Sequence, residues 1–162
     1  VGLYGPADRT NSNIYGVLPY VAPEVLRGNS CTQASDIYSF GFIMWTLSEC
    51  ERPFCKDPHD LDLATRICNG LRPEIVTDTP EVYLSLMKIC WHQNPEKRPN
   101  IVELCGMLDS WATDIQHNPT SMISRQFRGA NRERSVFENR TIDSMAIYKS
   151  RLLNFQSLHV TR

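Results

Sequence analysis

The chain has 162 residues, enough for one domain with an appendage and too few for two full domains. Hydrophobic residues make up 41% and charged residues 22%, an ordinary globular mixture, and the net charge is −1. No apolar run reaches the roughly 18 residues a membrane-spanning helix needs and no signal peptide opens the chain, so an intracellular protein, cytoplasmic or nuclear, is expected, with no membrane partner.

The six cysteines (Cys31, Cys50, Cys55, Cys68, Cys90 and Cys105) form no CxxC pair and no metal-like spacing. Cys68, Cys90 and Cys105 fall in apolar helical patterns, where a free thiol acts as a small buried hydrophobe in a reduced compartment. The four histidines are scattered, so no metal site is expected.

In chain order, Val1-Gly2-Leu3-Tyr4-Gly5 lacks an initiator Met and reads as the middle of something longer. Residues 1 to 30 have no periodicity and are rich in Gly, Pro, Asn and Ser, which predicts a long functional loop. From Ser35 to about Cys50, apolar residues cover almost every face, which predicts a helix buried in the middle of a helical lobe, with Ser35 and Asp36 suited to its N-cap and dipole. A helix over about Asp60 to Asn69 is stopped by Gly70. Pro80, after Thr79, opens a helix to about Trp91 with a Tyr83, Leu86, Met87, Cys90 stripe. Pro99 opens another, with a stripe of Ile101, Leu104, Cys105, Leu108, Trp111 and Ala112. No strand is expected, so the fold class is mainly α.

A charge boundary falls near Asp114. From Ile115 onward, eight basic residues face Glu133, Glu138 and Asp143, so this tail carries +5 and the first 114 residues −6, which together make −1. The polar, Arg-rich stretch from Gln116 to Asn139 reads as disordered. Residues 142 to 158 form either a weak amphipathic helix, docking on the lobe or a partner, or a frayed tail. The tail's basic residues are sparse and lack interleaved aromatics, so no nucleic acid is expected to bind it.

Three separated motifs converge. They are Gly16-Val17-Leu18-Pro19-Tyr20-Val21-Ala22-Pro23-Glu24, then Ser35-Asp36-Ile37-Tyr38-Ser39-Phe40-Gly41, then Cys90-Trp91-His92-Gln93-Asn94-Pro95-Glu96-Lys97-Arg98-Pro99. In this order and at these separations they closely resemble the C-terminal lobe of eukaryotic protein kinases, in wording closest to the tyrosine-kinase-like group and its fungal expansions. The resemblance covers residues 1 to about 114. It implies a partial kinase domain with an activation segment over 1–24 and a helical C-lobe over 25–114, followed by the basic tail over 115–162.

The resemblance also implies roles. Ala22-Pro23-Glu24 resembles the motif closing the activation segment, and Glu24 would form a largely buried ion pair with Arg98. Neither charge is tolerable alone in the interior, and adjacent Lys97 lacks the fork that grips a carboxylate. Asp36 would accept hydrogen bonds from the catalytic-loop backbone, alongside any capping role. Gly41 would permit close backbone approach. Trp91 would pack near the ion pair.

Gly2-Leu3 resembles the end of a DFG-Leu motif, with Val1 in place of Phe. Thr10, Ser12 and Tyr15 would be the phosphoacceptors of the segment, where a phosphate orders the loop through an arginine. Gly16, Val17, Pro19 and Tyr20 would form the shelf beneath the substrate residue after the phosphoacceptor. Serine/threonine kinases usually carry Thr where Val17 stands, so its missing hydroxyl leaves room for a weakly active or inactive member.

Phosphoryl transfer needs a glycine-rich loop, a lysine paired with a helix glutamate, a metal-binding Asp, and a catalytic loop with base and metal-ligating Asn. None of these occurs in the sequence. The expectation is therefore a fragment without catalytic, cofactor-binding or metal residues. ATP and Mg are implied for the complete kinase, which would phosphorylate Ser, Thr or Tyr of proteins. The alternative is a truncated binding or scaffold module, or a pseudokinase. Protein substrates or regulators would meet the activation segment and residues 52–75.

Overall fold

A computed structural model describes residues 14–75, 79–130 and 141–155. Gly2, Thr10 and Ser12 lie outside these. Strand β1 (Ile14–Gly16) leads through a 3-10 turn (Leu18–Tyr20) into α1 (Pro23–Leu26), then α2 (Gln33–Glu49) and α3 (Leu61–Cys68). α4 (Glu81–Cys90), a second 3-10 turn (Pro95–Lys97), α5 (Ile101–His117), α6 (Met122–Gly129) and strand β2 (Arg151–Leu153) follow. Among the described residues this is a mostly helical lobe.

α2 is the axis of the core. Tyr38 and Phe42 are fully buried, and Ile37, Met44 and Trp45 nearly so, against Leu63 and Ile67 of α3 and Leu86, Met87 and Cys90 of α4. Its N-cap is Thr32 rather than Ser35 or Asp36. Thr32 and Ser35 form a reciprocal capping box, the Ser35 amide donating to Thr32 Oγ1 at 3.3 Å and the Thr32 amide to Ser35 Oγ at 2.8 Å.

α2 is also not buried all round. Ile43 and Leu47 are 46% and 69% exposed, on the same face as exposed Asp36, because positions 36, 43 and 47 recur at whole turns of a 3.6-residue helix.

The α2–α4 crossing is tight. A Cβ added at Gly41 would meet the Trp91 amide nitrogen at 3.0 Å and Cys90 Cβ at 3.1 Å. The Tyr83 hydroxyl donates to the Met44 carbonyl at 2.8 Å, and Trp45 Nε1 donates to the Glu74 carbonyl at 2.7 Å. α3 is capped by Asp60, whose carboxylate accepts from the Leu63 amide at 3.1 Å. Past its C-cap Asn69, Gly70 takes φ of +100°, the left-handed turn that glycine adopts without strain.

Four further expectations change. Pro80 is the N-cap of α4 rather than its first residue, and α5 begins at Ile101 after its N-cap Asn100 rather than at Pro99. On α5, Ile101, Cys105 and Ala112 are exposed and only Leu104 is fully buried, because the helix lies along the surface rather than through the core.

The Arg-rich stretch holds helix α6. Its Phe127 packs at 5.7 Å from Trp111 and 6.3 Å from Tyr83, and Ser124 Oγ donates to the Asp114 carbonyl at 2.8 Å. One aromatic side chain touching two rings, with two polar contacts, docks a helix whose composition is mostly polar. Gln126 Oε1 accepts from the Val82 amide at 3.0 Å, satisfying an orphan donor that Pro80 has no side-chain oxygen to meet. We expect Gln126→Ala to lower stability by about 1 kcal/mol, read as a shifted urea midpoint, whereas Gln126→Glu retains most of it.

The described residues from 141 to 155 form no helix. β2 pairs antiparallel with β1, with Ile14 opposite Leu153, Tyr15 opposite Leu152 and Gly16 opposite Arg151. The strand places Leu153 in the core at 3% exposure.

Candidate functional site

The site is the end of the first loop and its anchors on α2 and the second 3-10 turn. α1 opens with Pro23, whose fixed φ suits the first helical position and whose missing N–H costs nothing there. Glu24 follows in the first turn. Arg98 lies 74 residues on, in extended backbone after the 3-10 turn that Asn94 caps through the Glu96 amide at 2.9 Å.

The two meet in a bidentate pair. Arg98 Nη1 donates to Glu24 Oε1 at 2.5 Å and Nη2 to Oε2 at 2.8 Å, with side chains 0% and 12% exposed. The remaining donors reach the carbonyls of His92 at 2.9 Å, Ala34 at 2.9 Å and Gln93 at 3.4 Å. All five guanidinium N–H groups are used, so burial leaves no donor stranded.

Sequence reasoning missed the second guanidinium beside this pair. Arg72 donates to the Trp91 carbonyl from Nε at 3.0 Å and Nη2 at 2.8 Å, and to Gln93 Oε1 at 3.1 Å. Arg72 and Arg98 each lie 5.1 Å from the centroid of the Tyr38 ring, a double cation–π arrangement. Burial pushes the Arg72 guanidinium below its usual range and the Tyr38 phenol well above its own, with the two guanidiniums opposing the phenol's shift. Tyr38 and Arg72 had separate signals: an aromatic in an apolar run, and a basic residue shortly after a helix stop. Nothing local joins them. Trp91 packs on Phe42 at 5.2 Å and links the cluster to the core.

The shelf residues are held from below. The Val17 carbonyl accepts from the Tyr20 amide at 2.9 Å, closing the 3-10 turn, and Leu18 and Pro19 are buried. Ser39 Oγ donates to the Tyr20 carbonyl at 2.7 Å, and the Tyr20 and Thr46 hydroxyls are 3.2 Å apart. Ser39 lies within the second motif without a role assigned to it there, and Thr46 had no signal beyond being a polar position on an apolar helix. A Cβ on Gly16 would sit 2.7 Å from Val21 Cγ2, so a larger residue there forces the Val21 side chain to shift. Tyr15 is 65% exposed.

The Asp36 carboxylate is exposed and accepts no hydrogen bond among the described residues, while its amide donates to the Thr32 carbonyl at 3.2 Å. No group of three or more His, Cys, Asp or Glu among those residues stands where it would hold a metal ion.

A sequence profile described as protein tyrosine and serine/threonine kinase matches residues 6–108, well over half of the chain and spanning all three motifs. The chain belongs to the protein kinase family. The kinase relatives agree with that assignment. A protein of Acanthamoeba polyphaga mimivirus, whose name describes a serine/threonine-protein kinase/receptor, is 38% identical over 85 residues, 52% of this chain and 5% of the relative. A Dictyostelium discoideum protein, whose name describes a LIM domain-containing serine/threonine-protein kinase, is 32% identical over 93 residues, 57% of this chain and 14% of the relative. The serine/threonine-protein kinase mos of Patiria pectinifera is 30% identical over 117 residues, 72% of this chain and 33% of the relative. The chain therefore spans at most a third of the length of these kinases. No helix among the described residues is long and apolar enough to cross a membrane.

Proposed function

We propose that these residues form the substrate-facing C-lobe of a protein kinase whose complete form transfers the ATP γ-phosphate to protein hydroxyls, and that this chain alone is inactive. The carrying observation is the open face of α2. Its leading carboxylate, Asp36, accepts no hydrogen bond among the described residues and lies in line with exposed Ile43 and Leu47. An apolar stripe led by an acceptor is a packing face, and a catalytic-loop backbone supplies both the donors and the apolar cover it needs. ATP and Mg bind the complete kinase, through residues upstream of this lobe.

Within this reading, the shelf from Gly16 to Tyr20 and the loop surface over 52–75 meet protein substrates or regulators. Exposed Tyr15 is the described candidate for phosphorylation in the activation segment. Val17 brings no hydroxyl to the shelf, which argues against conventional Ser/Thr recognition and supports a weakly active or inactive member.

The test joins this chain to its upstream coding sequence and measures phosphate transfer from labelled ATP to a generic protein substrate. The upstream residues are expected to carry HRD-like and DFG-like motifs and the joined protein to transfer phosphate. Calorimetry on the 162-residue chain is expected to show no MgATP binding. An upstream sequence without those motifs, or MgATP binding by the chain alone, would sink this assignment.

A further inference from the structure

Residues 143–155 cross two surfaces at once, the β1 strand and the 53–61 loop. The Asp143 amide donates to the Cys55 carbonyl at 2.8 Å and the His59 amide to the Met145 carbonyl at 3.0 Å. Tyr148 donates its hydroxyl to the Pro53 carbonyl at 2.8 Å, lies under the Arg52 guanidinium at 5.2 Å and meets the His59 ring edge at 4.8 Å. His59 Nδ1 is 3.0 Å from the Ile147 carbonyl, and Arg151 donates to the His59 carbonyl. Leu153 alone is deeply buried, and Leu152 beside it is 43% exposed.

Two features separate this strap from a core element. First, most of its bonds run to main-chain carbonyls and amides, which any extended segment can supply; only Tyr148, Arg151 and Leu153 read out side-chain identity. Second, a cleft of about 580 Å³ remains open between His59–Leu61 and Leu152–Phe155, so the strap is not packed on that side as the interior is. β1 has no other strand partner among the described residues, so its edge depends on β2.

We propose that the β1 edge and the 53–61 loop form a docking groove for extended protein segments, and that residues 143–155 fill it in cis as a displaceable intramolecular ligand. The groove takes a strand of pattern Tyr-x-x-Arg-x-Leu, the spacing of Tyr148, Arg151 and Leu153. Its edge leads directly into the Gly16–Tyr20 shelf, so the strap shields the segment assigned above to substrates. That consequence rests on the kinase reading; the cis occupancy does not.

A fluorescein-labelled peptide spanning residues 143–155, added in trans to the full 162-residue chain, tests the groove by anisotropy. The wild-type chain is expected to leave the peptide unbound. Arg151→Ala combined with Leu153→Ser weakens the strap and is expected to bind it, while a scrambled peptide stays free. In the same variant, amide exchange over residues 14–20 is expected to rise about 10-fold and to fall again on peptide addition. Tyr148→Phe with Arg151→Ala leaves Leu153 in place and repeats the experiment if the first variant unfolds. Equal binding by wild type and variant overturns the cis occupancy. A folded variant that binds nothing shows a purely structural strap and overturns the docking groove. Neither measurement requires ATP, so failure here and failure of phosphate transfer are separately readable.

Discussion

Glu24→Gln is expected to destabilise the lobe by about 3–5 kcal/mol, because it strands a guanidinium whose side chain is 0% exposed. The sign follows from desolvation: an ion pair this buried adds little net stability, yet a lone charge in the same place is costly. Arg98→Ala is expected in the same range, since it deserts the Glu24 carboxylate and three backbone carbonyls together. Arg98→Lys keeps the charge but loses the fork, and is expected to fall between wild type and Arg98→Ala. The double variant Glu24→Gln/Arg98→Ala is expected to be markedly less damaged than the sum of its singles. Urea unfolding of the four variants measures this directly. Strict additivity would show that the two side chains do not depend on each other.

Gly41→Ala carries the second large effect. On an exposed helix, alanine stabilises relative to glycine by roughly 0.5–1 kcal/mol. Here the added methyl meets the Trp91 amide nitrogen at 3.0 Å and two Cβ atoms at 3.1 Å, none of them the end of a flexible side chain. Separating α2 from α4 disturbs the contacts of Phe42 and Trp91, so overpacking of about 1–3 kcal/mol outweighs the propensity gain. Thermal unfolding is expected to show a lower midpoint for Gly41→Ala and a still lower one for Gly41→Val. A midpoint raised by alanine would mean that the helices separate freely.

The sequence alone was enough to place α2 to α5, because each has a local signal: an apolar run, a proline or polar cap, a glycine stop. It also singled out Glu24 and Arg98, since each sits inside a motif whose context names the other. It could not decide what has no local signature. Arg72 joins Tyr38 and Arg98 only where α2 and the loop after α3 converge, and residues 72 and 38 share no motif. Phe127 docks α6 through rings of α4 and α5, so a polar, Arg-rich composition concealed a helix stabilised by tertiary contacts. Residues 142–158 carry apolar positions compatible with a helix, yet β1 offers unpaired backbone and the core offers a place for Leu153, and those two together favour a strand. The exposure of Ile43 and Leu47 follows the same logic, because an apolar run is uniform in sequence while its neighbours in space are not. Local chemistry determined which segments are helical and which charges need partners. Only the packing of distant segments decided which face is covered, which arginines share a ring, and which strand the tail completes.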